Sequence, residues 1–131
     1  MPGKSQSHTD AVLNVLRNVR LDALSPYAGL FSVAPADDNS AGTELAGDGY
    51  ARQAITFGAP AADAGNVRKI ANTNNIQFGP ALADWDEAVA FGVFDGLEGD
   101  LLYWDTLPTP KTVATGDFGQ FALGALVVKE D

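Results

Sequence analysis

The stretch EAVAFGVFDG, Glu87 to Gly96, alternates apolar residues over its whole length. In a strand, Val89, Phe91 and Val93 share one face, and Ala88, Ala90, Gly92 and Phe94 share the other. It is the clearest strand in the chain, and its neighbours extend the pattern on both sides. Downstream, GLEGD turns the chain into LLYWDTL, where Tyr103 and Trp104 face opposite ways, one expected buried and the other near the rim. The prolines of PTPK, Pro108 to Lys111, are expected to interrupt the strand, because proline has no N–H for a sheet ladder. KTVATGDFGQFALGALVVKED then supplies one or two final strands, the last around Ala125 to Lys129.

Upstream, YAGLFSVA reads as a strand and PADDNSAG as a polar loop. A second strand is expected from Tyr50 to Phe57 within GDGYARQAITFGAP, followed by the small-residue loop GAPAADAG. NVRKIANTNNIQFGPA holds two short extended pieces around Asn72–Asn75. Short strands separated by Gly, Pro and Asp indicate a mainly β chain, a single antiparallel β-sandwich or barrel-like domain. One short helix precedes it, about residues 9–20. Thr9 or Ser7 is its expected cap, with Asp10 near the positive end and Arg17 and Arg20 near the negative end. Val12, Val15, Leu16 and Val19 recur at helical spacing and form an apolar stripe. Three turns of helix are marginal alone, so the stripe must dock on the protein's own sheet or on a neighbouring subunit. The organisation expected is an N-terminal arm over residues 1–8 and one β domain over 9–131.

A chain of 131 residues with 46% hydrophobic and 19% charged residues can bury its own core. The absence of cysteine excludes disulfides, thiolate metal sites and a cysteine nucleophile. A net charge of −9 argues against nucleic-acid binding, which needs Lys and Arg on phosphates. From Ile70 to Pro110 there is no Lys or Arg, but there are seven acids, which read as a solvated face or as a patch for a basic partner. No apolar run is long enough to span a bilayer, and MPGKSQSHTD lacks the apolar core of a signal peptide, so neither a membrane nor export is expected.

No enzyme motif survives inspection. The lone histidine, His8, lies in the polar N-terminal segment, outside the β body where a Ser-His-Asp triad would need it. One histidine and no cysteine cannot build a multi-histidine metal site. The loop from Asp37 has Asn39, Gly42 and Asp48 at calcium-loop spacing, but Ala41 stands where a ligand is needed and the last acid is not Glu. Asp84, Asp86 and Glu87 around Trp85 resemble a paired-carboxylate site only in composition; Trp85 reads as a core or interface anchor, and Trp104 likewise. The glycines form no phosphate loop. Catalytic residues, cofactor and metal are therefore all expected to be absent.

Arg52 stands out in the middle of the second strand. With Tyr50, Ala54 and Thr56 it faces away from Ile55 and Phe57, which should point inward. Its planar guanidinium suits a carboxylate, so a structural ion pair is favoured over an intersubunit contact and over catalysis.

YAGLFSVAPADDNSAGTELAGDGYARQAITFGAP resembles a family of small tailed-bacteriophage structural proteins, often labelled tail fibre or virion proteins. The likeness continues through IQFGPALADWDEAVAFGVFD, GDLLYWDTLPTPKTVATGD and FALGALVV, about residues 9–128. The resemblance implies a non-enzymatic protein of the virion, made in the host cytoplasm. Within the virion, the expectation is a capsid decoration or cement protein bridging the major capsid protein, as a homotrimer. The alternative is a tail or tail-fibre component contacting other tail proteins or a host glycan. Val12, Val15, Leu16, Val19, Arg52, Trp85 and Trp104 are the expected interface residues.

Overall fold

The computed structural model describes residues 3–20, 24–36 and 42–130. The chain begins with β1 (Gly3–Lys4), α1 (Gln6–Asn14) and a 3-10 turn (Val15–Arg17). It continues through β2 (Pro26–Val33), β3 (Thr43–Glu44), β4 (Gln53–Ala54), β5 (Ala61–Ala62), β6 (Arg68–Ala71) and β7 (Ile76–Phe78). The last elements are β8 (Ala88–Asp95), β9 (Leu101–Lys111), β10 (Gly119–Phe121) and β11 (Val127–Glu130).

All pairings are antiparallel. The large sheet runs β1-β9-β8-β2-β3, with β4 also paired to β2. Two small sheets, β10-β7 and β11-β6-β5, cover one of its faces. The main core lies between these layers: Ala28 and Leu30 from β2 and Phe91 and Val93 from β8 meet Ile76, Phe78 and Val128. The large sheet does not close on itself, so the layered form of the expected fold is observed and the barrel is not.

The strand that decides the fold, β8, is central and buried on both faces. Its outer face carries a second cluster in which the rings of Phe31 and Phe94 stack at 5.7 Å beside Ala90 and Leu101. Two glycines opposite each other, Gly29 and Gly92, make the room. A Cβ on Gly29 would come within 2.5 Å of the Phe94 ring, and one on Gly92 within 2.7 Å of the Phe31 ring.

Three local expectations are corrected. The prolines do not end β9, which continues through Pro108 and Pro110 to Lys111. Residues 107–110 lie in an irregularity of the β8–β9 ladder, between the pairs Ala90–Thr106 and Ala88–Lys111, and β1 reaches only Tyr103 and Trp104, so neither proline interrupts a regular ladder. The expected strand Tyr50–Phe57 shrinks to Gln53–Ala54. Its first residues turn aside to bond Glu44, and Thr56 and Phe57 pair instead with Thr73 and Asn72. Tyr103 and Trp104 do face opposite ways, but each is half-buried, because both faces of the sheet are covered there.

The helix also differs. Its cap is Ser5, fully buried, whose Oγ accepts from His8 N at 3.2 Å; neither Ser7 nor Thr9 takes that role. The α-helix stops at Asn14, and Asn18 closes the 3-10 turn in the left-handed conformation, leaving Val19 beyond the helix. Gly3 and Lys4 of the expected arm lie in the large sheet as β1.

Candidate functional site

β3 and β4 both pair with β2 on the same side, opposite Phe31–Val33 and Tyr27–Ala28 respectively. Leu30 falls in the gap between them. Its N–H donates to the Tyr50 hydroxyl at 2.9 Å, and its carbonyl accepts from Leu45 N at 2.9 Å. The Tyr50 ring stacks on Phe78 and meets the edge of Trp85, which fixes the hydroxyl in that gap. The hydroxyl in turn donates to Glu44 Oε2 at 2.7 Å. Burial first, and then the carboxylate beside it, pushes the Tyr50 hydroxyl's pKa far above its ordinary value, so it stays protonated.

Arg52 completes this cluster. Its Nη2 and Nε reach Glu44 at 2.9 and 3.0 Å, a two-pronged grip on the carboxylate. Nη1 donates to the carbonyls of Gly99 at 3.1 Å and Gly96 at 3.4 Å, in the β8–β9 turn. The guanidinium lies 3.6 Å over the centroid of the Phe94 ring. Arg52 is therefore a strut between β3 and that turn. Both Glu44 oxygens are occupied, and no buried side-chain polar atom among the described residues lacks a partner.

Trp85 is 3% exposed, and its Nε1 donates to Asp48 O at 2.8 Å, so its anchoring is internal to the chain. Gly47 has no side chain because a Cβ there would sit 2.3 Å from the indole. Asp84 accepts from the Thr115 N–H and hydroxyl at 2.8 and 2.9 Å, which holds its carboxyl below the usual range. Asp86 and Glu87 are exposed. The tryptophan between these acids is turned inward, away from them. Residues 37–41 of the loop weighed for calcium lie outside the described residues. Among the described residues no three His, Asp or Glu side chains group to hold a metal, and no helix is long and apolar enough to cross a membrane.

The helix lies at the β1 end of the large sheet. Of the nine residues of α1, His8 is the buried one, its ring edge-on to Tyr103 at 5.0 Å. Glu130 ties the same corner together, accepting from the Tyr103 hydroxyl at 2.8 Å and pairing with Lys4. The apolar side chains face water instead: Val12, Leu13, Val15, Leu16, Val19 and Leu24 are all exposed, Leu16 by 84%. Leu13 adds to the exposed residues of the sequence stripe, whereas Val19 and Leu24 border a cleft with His8, Ala11, Asn14 and Leu102 on the sheet side of the helix. Trp104 packs against the Phe31–Phe94 cluster on the outer face of the sheet, where Arg52 also lies. The structure thus gathers Arg52, Tyr50 and Trp85 near one another and leaves the helix residues at a separate surface.

His8 makes that surface sensitive to acid. Burial, and then the Lys4 ammonium, hold its pKa below the ordinary 6.5, with Glu130 opposing. The unfolded chain therefore takes up a proton before the folded chain does, and stability falls as pH drops through about 6.5. Urea unfolding at pH 8 and pH 5.5 is expected to show this loss, and His8→Phe to abolish it. Loss of the Glu130 contacts belongs to a lower window: burial raises its carboxyl, but Lys4 and Tyr103 more than offset this and leave it depressed.

Residues 3–129 match the family model described as Podophage GP4 fiber I protein gp80. No curated protein matches the chain.

Proposed function

From the premise that the chain belongs to the Podophage GP4 fiber I protein gp80 family, phage structural proteins of the virion, we propose that it is a non-enzymatic fibre component whose work is assembly. The observation that carries this reading is the apolar face of α1 and its 3-10 turn, exposed on a protein in which no buried side-chain polar atom among the described residues lacks a partner. A patch of that kind marks a surface to be covered by protein. Arg52, Glu44 and Tyr50 tie β3 to the β8–β9 turn at a separate surface, where the polar groups are engaged with one another. A host glycan finds no tryptophan platform at Trp85, which is internal.

The test is quantitative mass spectrometry of purified virions, wild type and Leu16→Glu. The expected count is a small multiple of the tail's symmetry order, reduced at least about tenfold in the variant, since a charge at the centre of an interface removes a dominant contact. A count near that of the major capsid protein would instead place the protein on the shell as a decoration protein. Normal incorporation of Leu16→Glu would remove the helix face from the assembly.

A further inference from the structure

A short helix that docks through a histidine leaves its apolar residues for another surface. Val12, Leu13, Val15 and Leu16 range from 37% to 84% exposed. Together they leave on the order of 400 Å² of apolar surface in water, within the ~300–600 Å² found as one patch on a monomer. Adding the polar rim that surrounds an apolar centre brings the footprint close to the ~800 Å² each partner contributes to a standard interface.

Charge indicates which partner fits. At −9, two copies of this chain repel each other over most of their surfaces. The helix face is an exception: Asp10 stands midway along α1, Arg17 ends the 3-10 turn and Arg20 follows just past it. No ion pair engages any of the three among the described residues. An acid before Leu13 and Leu16 and bases after them make the face its own complement when reversed. Two antiparallel helices also oppose their dipoles favourably.

We propose that α1 and its 3-10 turn pair with the same segment of a second copy, antiparallel about a two-fold axis. Leu16 then lies over Val12 and Leu13 of the partner subunit, and Asp10 beside Arg17 of the partner subunit. Such a contact is isologous and closes at two subunits, in place of the threefold arrangement expected from the resemblance. The inference rests on reading this face as an assembly surface, and it holds wherever in the virion the protein sits.

The test is sedimentation velocity of the purified full chain from about 1 to 100 μM, a range that spans transient to stable association. The expected species is a dimer. Leu16→Glu should weaken it at least about 100-fold, the effect of losing a central anchor. Asp10→Arg and Arg17→Asp should each weaken it about tenfold by setting like charges together, and the double reversal should restore it. All three positions are exposed, and a circular dichroism spectrum confirms that each variant folds. A monomer throughout, a trimer, a dimer indifferent to Leu16→Glu, or a double reversal without rescue would each overturn the pairing. If the chain is monomeric but Leu16→Glu is missing from virions, the face takes a different virion protein and the assembly reading stands. If the chain is monomeric and the variant is incorporated normally, both readings fall.

Discussion

Asn72→Ala is expected to lower the free energy of unfolding by about 3–4 kcal/mol, because it strands several buried backbone groups that each cost ~1–3 kcal/mol unpaired. Asn72 is 2% exposed, and its side chain bonds only to backbone. Its amide donates to the carbonyls of Asn74 at 2.7 Å and Ala122 at 3.0 Å, and its carbonyl accepts from Leu126 N at 2.9 Å. One side chain thus pins the β6–β7 turn to the β10–β11 turn, and so joins the two small sheets that cover the core. Asn72→Asp should be at least as damaging, since a carboxylate would face two carbonyls with nothing to donate. Urea unfolding of both variants measures this. A loss under about 1 kcal/mol for alanine would mean that the main-chain bonds from Asn72 N to Leu126 O and from Gly124 N to Asn72 O hold the turns unaided.

Arg52→Met is expected to cost about 2–3 kcal/mol, toward the lower side of a broken buried pair (~3–5 kcal/mol) because both partners keep some contact with water. The side chains of Arg52 and Glu44 are 16% and 25% exposed. Removing the arginine leaves Glu44 with the Tyr50 hydroxyl alone, frees the carbonyls of Gly96 and Gly99, and uncovers the Phe94 ring. Arg52→Lys keeps the charge but not the fork, and should recover less than half of the loss. A second test is local: hydrogen exchange in the β8–β9 turn should rise in Arg52→Met before the rest of the sheet loosens. If unfolding is unchanged and the variant fails only in virion assembly, Arg52 is an intersubunit contact and not a strut.

Both effects sit where the sequence is hardest to read. Alternation in EAVAFGVFDG, YAGLFSVA and LLYWDTL is a local property, and each of these segments is a strand in the large sheet. Ile55 is inward as its parity requires. Parity could not show that Tyr50 leaves the strand, because that depends on a gap opposite Leu30 which exists only once β3 and β4 have paired with β2. Nor could it show that Asn72 is buried. Asparagine in a turn is ordinary, and its partners Ala122 and Leu126 lie some fifty residues away. The helix cap was missed for a related reason: Ser5 becomes a cap because its own N–H bonds Leu102 O, which ties the helix start to β9.

By itself the sequence determined what depends on neighbours along the chain: a mainly β protein with one short helix, no cysteine and a net charge of −9. Spacing alone identified an apolar stripe on the helix and an arginine suited to a carboxylate. Only the tertiary structure decided where each of them points. It turned Arg52 onto Glu44 and the β8–β9 turn, placed Trp85 inside, and set His8 rather than the valines against the sheet. Period and parity give each side chain a face on its own element. Which face meets protein and which meets water is settled by packing between elements far apart in the chain.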